Sequence, residues 1–292
     1  MAGSLDDPVA RVNRAIHHYH TLKDSFHGVD RKFRPVFANS CHEGLEYRFY
    51  VGDIEAPNPD WALILGEAYH NLRAALDNLV FQLHVRHFRG EVPDAVVKAA
   101  AFPVFEVRPE KGKTGVAVPT DKWDKIQNLG KVERASIEWL QPYHGRDRQY
   151  PPRAGINQIR RGIRDVDRLD KIDKHRNLHL ASIAMGSIVA PFVEARFGFQ
   201  NHPTPGVALE SHAQIDRWTF IEAPPPERVP MKTQIGTAIA IDPRIDPNGI
   251  QLDVLPHLGG SIWSINMALD RFRGRFPDAA MPDLSSVKMT WG

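Results

Sequence analysis

His70, Arg73 and Asp77 occur together in the stretch GEAYHNLRAALDNLVFQLH, residues 66 to 84. An imidazole, a guanidinium and a carboxylate at such spacing are the parts of an acid–base site. Histidine moves protons near neutrality, arginine holds a fixed positive charge, and a carboxylate orients either one. A second set lies far along the chain in RLDKIDKHRNLHL, residues 168 to 180, which brings Arg168, Asp173, His175, Arg176 and His179. Arg161 and Arg164 precede it by one to two helical turns.

Both sets need helices to position them. A helix advances about 100° per residue. Around a helix opened by Asn58-Pro59 and running to about His87, residues Leu65, Ala68, Leu72, Leu76, Leu79 and Leu83 share an apolar face. His70, Arg73, Asp77 and His84 fall on nearly the opposite side, in a stripe roughly 60° wide. Leu63, Ala74, Val80 and Phe81 flank that stripe, so burial is expected. Buried polar groups of this kind require partners. Arg73 and Asp77 can pair one turn apart.

The second helix is expected over Ile156 to Leu180. There Arg161, Arg164, Arg168, His175 and His179 project within roughly 60° of one another. Ile156, Ile159, Ile163 and Val166 lie opposite, and Asp173 and Arg176 point to the flanks. If the two polar stripes face each other, one cleft holds arginines, aspartates and histidines together.

The remaining pattern sets the architecture. A first helix is expected from Asp7-Pro8 to about Phe26, a strand at Leu45 to Val51, and a short helix at Lys131 to Leu140. Residues 89 to 122 read as a long loop with one strand near Phe102 to Phe105. Later strands are expected near Phe192 to Phe197, Val207 to Leu209, Trp218 to Ile221, Ile235 to Ile241 and Ile250 to Leu255. An amphipathic helix from Leu258 to Phe276 closes the chain onto the earlier helices. This is an α+β pattern: a helical bundle of long helices with a small antiparallel β-sheet built mostly from the C-terminal half. It reads as one domain over residues 1 to 292, with a helical part at about 5 to 185 plus 257 to 276 and a β-rich part at about 186 to 256.

Several function classes fall away. The formal net charge of +2 over 292 residues does not by itself point to nucleic acid or an anionic membrane. The longest apolar stretch, around residues 61 to 85, is broken by Glu67, His70, Arg73 and Asp77, so no membrane span and no membrane partner are expected. One cysteine, Cys41, permits no internal disulfide, and no secretory signal opens the chain; a cytoplasmic location is expected. Lys111 to Thr114 resembles the end of a phosphate loop, but Val107 stands where its first glycine is required. No G-x-S-x-G, G-x-G-x-x-G or H-E-x-x-H occurs. His17, His18 and His20 are expected on the surface of the first helix. His175 and His179, four apart, have the spacing of helical metal ligands, but Arg176 stands where a zinc protease has glutamate. No cofactor is expected on the leading reading.

HNLRAALD at 70 to 77 and IDKHRNLH at 172 to 179 resemble two signatures of a broad group of uncharacterised bacterial proteins, a group that brings no activity with it. The chain is also similar, more weakly, to HEPN domains, helical bundles many of which cut RNA without a metal. Their arginine and histidine, separated by four to six residues, match Arg168 and His175. Arg73 finds Asn78 where the histidine belongs, a departure from the pattern. The HEPN resemblance implies a metal-independent ribonuclease or RNA-processing and defence protein, with RNA as partner and a homodimer as assembly. On it, His175 is base or acid, Arg168 and Arg73 hold phosphate, and Asp77 or Asp173 orients. His70, Arg161, Arg164, Arg176 and His179 then line the substrate. Two alternatives stand beside it: a metal-dependent helical-bundle enzyme using His70, Asp77, His175 and His179, and a non-enzymatic ligand-binding or interaction protein whose buried ion pairs lock the bundle.

Overall fold

The structure is a computed structural model that describes residues 3–26, 33–41, 43, 45–107, 121–145, 154–176, 180–184, 197–201, 210–220, 232–242 and 253–287. The chain divides into two units: Met1–Leu22, Leu63–Asn177 and Leu255–Gly292 form one, and Lys23–Ala62 with Leu178–Val254 form the other.

The first unit is helical. It contains most of α1 (Asp6–Ser25) and α2 (Pro59–His87), then α3 (Asp94–Ala99), α4 (Asp121–Asp124), α5 (Lys131–Trp139), α6 (Ala154–Arg176) and α7 (Val254–Asp270). Asn58 caps α2 as its sequence suggests: the backbone N–H of Asp60 donates to Asn58 Oδ1 at 2.9 Å, with Pro59 at the first helical position. All six residues of the expected apolar face, Leu65, Ala68, Leu72, Leu76, Leu79 and Leu83, are buried. They belong to a core with Val12, Tyr19 and Leu22 of α1, Ile163, Val166 and Leu169 of α6, and Leu258, Ile262 and Leu269 of α7. Gly162, which weakens α6 as an isolated helix, stands where α7 crosses it. A methyl group there would come within 2.3 Å of the Ser264 side chain. The gap is what lets the two helices approach.

Among the described residues the second unit carries a six-stranded antiparallel sheet in the order β3-β6-β1-β2-β5-β4. Its strands are β1 (Phe33–Cys41), β2 (Glu46–Val51), β3 (Leu180–Ala184), β4 (Phe197–Asn201), β5 (Gln214–Phe220) and β6 (Lys232–Ile241). Four of the six come from the second half of the chain, and the α+β class holds. In β2 the alternation is literal, with Tyr47, Phe49 and Val51 buried. Phe49 packs on Trp218 of β5 with ring centroids 4.5 Å apart.

Some element boundaries differ from those the sequence suggests. Leu180 opens β3 instead of closing α6, and α7 begins one turn earlier than Leu258. β1 was not anticipated, because Pro35 argues against an internal strand. Its ladder with β2 begins only at Val36, while the ladder with β6 runs from Phe33 to Phe37. The proline therefore sits where β1 has a partner on one side only. Residues 102–105 form no strand, although Phe102, Val104 and Phe105 are buried. Side chains take the place of a neighbouring strand: Gln141 accepts from Phe105 N–H at 3.0 Å and donates to the Pro103 carbonyl at 2.9 Å. His18 is buried rather than exposed, since it shares the inner side of α1 with Ala15 and Leu22. It pairs with Glu67 at 3.5 Å. The strands expected at Val207 to Leu209 and in most of Phe192 to Phe197, and the phosphate-loop-like Lys111 to Thr114, lie outside the described residues. So does the start of Ile250 to Leu255; its end, Val254, opens α7 after an isolated bridge between Asp253 and Ala240. Among the described residues no helix is long and apolar enough to cross a membrane.

Candidate active site between two helices

Within the helical unit α2 and α6 run past each other in opposite directions, joined by three successive rungs. At the first, Asp173 packs its carboxylate against the bare backbone of Gly66, where a methyl group would come within 2.4 Å of Oδ1. At the second, His70 Nδ1 lies 3.0 Å from Asp170 Oδ1. At the third, Arg73 Nη1 lies 3.3 Å from Asp167 Oδ1, an ion pair without an aligned hydrogen bond. The residues step 66, 70, 73 on one helix and 173, 170, 167 on the other. These are the four- and three-residue spacings that keep side chains on one helical face.

Exposure varies along the stripe: the His70 side chain is 53% exposed, Arg73 only 12%, Asp77 34%, and His84 is fully buried. Only one nitrogen of Arg73 is fully engaged, since Nη1 faces Asp167 without an aligned hydrogen bond. Its Nη2 donates to Asp77 Oδ1 at 2.9 Å and to the Phe102 carbonyl at 2.8 Å. Asp77 in turn accepts the Phe102 N–H at 2.8 Å. Arg73 and Asp77 thus satisfy both backbone groups of a buried phenylalanine that has no strand beside it. Burial pushes the Asp77 carboxyl above the usual carboxylate range, and the Arg73 charge and Phe102 N–H offset this only in part. His84 donates from Nε2 to the Lys125 carbonyl at 3.0 Å, while burial pulls its pKa down; its Nδ1 has no hydrogen-bond partner among the described residues.

The outer rung is differently built. Asp170, with a side chain 5% exposed, holds His70 on Oδ1 and Lys174 Nζ on Oδ2 at 2.7 Å. Lys174 is half-exposed, as is His70. An ionised carboxylate only accepts, so His70 donates from Nδ1, and in the neutral imidazole the lone pair is on Nε2. No described residue occupies that nitrogen. A histidine with an acid behind it, an open nitrogen in front and a cation alongside is equipped to take a proton near an anion.

The arginine stripe takes another course. Arg161 is exposed, and Arg164 turns to Asp165, donating from Nε and Nη2 at 2.9 and 2.7 Å. Arg168 is half-buried, close enough to Tyr69 for its charge to favour the phenolate. His175 and Arg176 lie in the last turn of α6, with side chains outside the described residues, and His179 lies outside them altogether. Among the described residues no group of three His, Cys, Asp or Glu side chains is arranged to hold a metal ion.

The chain matches no protein family, no curated protein and no solved structure.

Sequence reasoning passed over Asp167 and Asp170, which do the pairing. The signal was present: both lie on the Ile163 side of α6, within roughly 60° of one another, where a solvated acid has no reason to be. It also passed over a second polar chain behind the ladder. Tyr69 and His257 Nδ1 are 2.7 Å apart, and His257 Nε2 lies 3.5 Å from Asp165 Oδ2. Burial opposes ionisation of Asp165, but His257 and Arg164 outweigh it and hold the carboxyl below its ordinary range. Burial pushes the Tyr69 hydroxyl strongly up, so it stays a neutral phenol. With Tyr69 completely buried, this relay ties α2, α6 and α7 together.

Proposed function

We propose that the helical unit is a metal-independent ribonuclease whose general base is His70, oriented by Asp170. The observation that carries this reading is the outer rung. There a half-exposed imidazole is held through one nitrogen by a buried carboxylate, with the other nitrogen open. In RNA cleavage by this route Nε2 takes the proton of a ribose 2′-hydroxyl, whose oxygen attacks the adjacent phosphorus. The 5′-oxygen of the next nucleotide leaves and must receive a proton. Lys174 supplies positive charge beside the phosphate, and His175, one residue further on α6, is assigned the role of acid. Arg73 and Asp77, bonded to Phe102, are assigned to the scaffold, so the phosphate-holding role passes from Arg73 to Lys174. The similarity of Arg168 and His175 to the HEPN pattern supports RNA as the substrate class and implies a pair of chains as the working assembly.

The decisive experiment follows cleavage of a labelled single-stranded RNA in EDTA. Wild type is expected to cut, while His70→Ala and Asp170→Asn lose about a hundredfold or more in rate, the usual loss for a general base. Both should melt close to wild type. Undiminished cleavage by His70→Ala, or no cleavage by the wild-type chain over a range of RNA sequences, overturns the assignment.

The Phe102 clamp favours a second reading for the inner rungs, in which they are purely structural. It is compatible with the first, because the two readings concern different ends of one stripe.

A further inference from the structure

Neither the ladder nor the relay uses the outward face of α5. That helix buries Ile137, and Leu140 just past its end, while Val132, Ala135 and Trp139 are exposed. The three exposed residues fall within roughly 60° of one another around the helix. Val132 is 58% exposed and Trp139 38%, so an apolar stripe runs along α5. Single exposed apolar residues are ordinary, whereas adjoining ones along one helical face mark a docking surface. The unspent charge around the stripe is positive. Lys131 and Arg134 are exposed beside it, and Arg271, just beyond α7, sets Cζ 3.9 Å from the Trp139 ring centroid. None of these cations forms an ion pair among the described residues. The acids next to them in sequence are turned elsewhere. Glu133 faces Arg275 at 3.1 Å, Asp270 faces Arg273 at 3.9 Å, and Glu138 accepts from the Tyr143 hydroxyl at 3.4 Å. Partial burial lowers the Arg271 pKa, and no described carboxylate acts against it.

We propose that the outward face of α5 docks an acidic amphipathic helix of a partner protein. Apolar side chains of that helix, three and four residues apart, meet Val132, Ala135 and the exposed part of Trp139. Carboxylates on its flanks meet Lys131, Arg134 and Arg271. The contact needs no open indole face, because Arg271 keeps its place on the ring and offers its remaining donors to a carboxylate. A second copy of this chain brings the same surplus of cations to the face, so it is the poorer occupant. The proposal stands apart from the His70 chemistry and does not rest on the ribonuclease reading.

The experiment is fluorescence anisotropy with the full chain and two labelled helical peptides. Both carry leucines at three- and four-residue spacing; one has glutamates on its flanks and the other lysines. The glutamate peptide is expected to bind, and the lysine peptide about tenfold or more weakly. Val132→Glu puts an acid among acids at an exposed position, and should weaken the glutamate peptide about tenfold or more. Arg271→Gln should weaken it less and flatten its salt dependence. Melting curves check that each variant is folded. No binding of the glutamate peptide, equal binding of both peptides, or unaltered binding by Val132→Glu overturns the proposal. Sedimentation supplies the remaining test. A wild-type dimer that Val132→Glu turns into a monomer assigns the face to a second copy and overturns the acidic partner.

Discussion

His70 and Arg73 are neighbours on one helical stripe, yet the structure uses them in opposite ways. At the His70 end an aspartate holds one ring nitrogen and leaves the other open, and the lysine sharing that aspartate is half in solvent. At the Arg73 end two carboxylates and a backbone carbonyl surround a guanidinium that is nearly sealed off. The difference is depth. A polar group deep in a bundle is met mainly by the protein itself, and what is left unmet there, Arg73 Nη1 and His84 Nδ1, is shut off from solvent. Near the surface water completes the bonding, and a substrate can replace water. On the proposed reading, a stripe of chemically capable residues is a scaffold at one end and a site at the other.

Removing the inner partner should have the larger effect. Arg73→Ala leaves Asp77 without its cation and the Phe102 carbonyl without its donor, while Asp167 keeps Lys171 on its other oxygen. A loss of about 3 kcal/mol is expected from breaking a largely buried ion pair. Urea unfolding measures it. A change under about 1 kcal/mol, the level of an exposed pair, would mean the inner end is as accommodating as the outer one.

How far this division could be read from the sequence depended on what each residue borrows from elsewhere. The apolar face of α2, its Asn58 cap and the alternation of β2 are local, and all were legible. That a polar stripe inside so apolar a helix must meet a partner followed from desolvation alone. Which partner did not follow. The arginines and histidines of α6 share a face, so they drew attention, whereas Asp167 and Asp170 sit among isoleucines and look like misplaced surface residues. The clamp on Phe102 was hidden for a related reason. Residues 102–105 have the apolar run of a strand, but their backbone is completed by Arg73, Asp77 and Gln141 instead of by a neighbouring strand. β1 reads poorly because Pro35 suggests an ending, and only the staggered ladders on its two sides explain why it is tolerated.

Gly66 offers a sharper measurement at the outermost rung. Helix propensity alone favours alanine over glycine by about 1 kcal/mol. Here the added methyl would meet the Asp173 carboxylate at 2.4 Å. Gly66→Ala is expected to lose about 1 kcal/mol net, since overpacking of 1–3 kcal/mol outweighs the propensity gain. In the Asp173→Ala background the same change should turn neutral or stabilising. Additive effects of the two substitutions would show that Asp173 does not rest on Gly66.

The buried end also makes a statement about pH. Burial lowers the pKa of His84 below its ordinary 6.5, and His18 shifts the same way. Between the folded and unfolded values the unfolded chain binds more protons, so stability rises with pH there. The contribution is complete above 6.5 and is lost as the pH falls toward the folded value. His84→Gln should flatten part of that slope in melting curves taken across the window, leaving the part due to His18. An unchanged slope would place His84 in contact with solvent.

The smallest effect on stability belongs to the residue with the largest assigned role. His70 is half-exposed, and an ion pair at such a position contributes roughly 0–1 kcal/mol. His70→Ala frees Asp170, but Lys174 remains on its other oxygen, so the carboxylate is not left alone. The melting temperature should therefore move little, while Arg73→Ala, one helical turn away, lowers it clearly. A His70→Ala protein that melts as early as Arg73→Ala would make the outer rung structural too. The open nitrogen would then be incidental to how the helix packs, and the depth that separates the two ends of the stripe would no longer separate their functions.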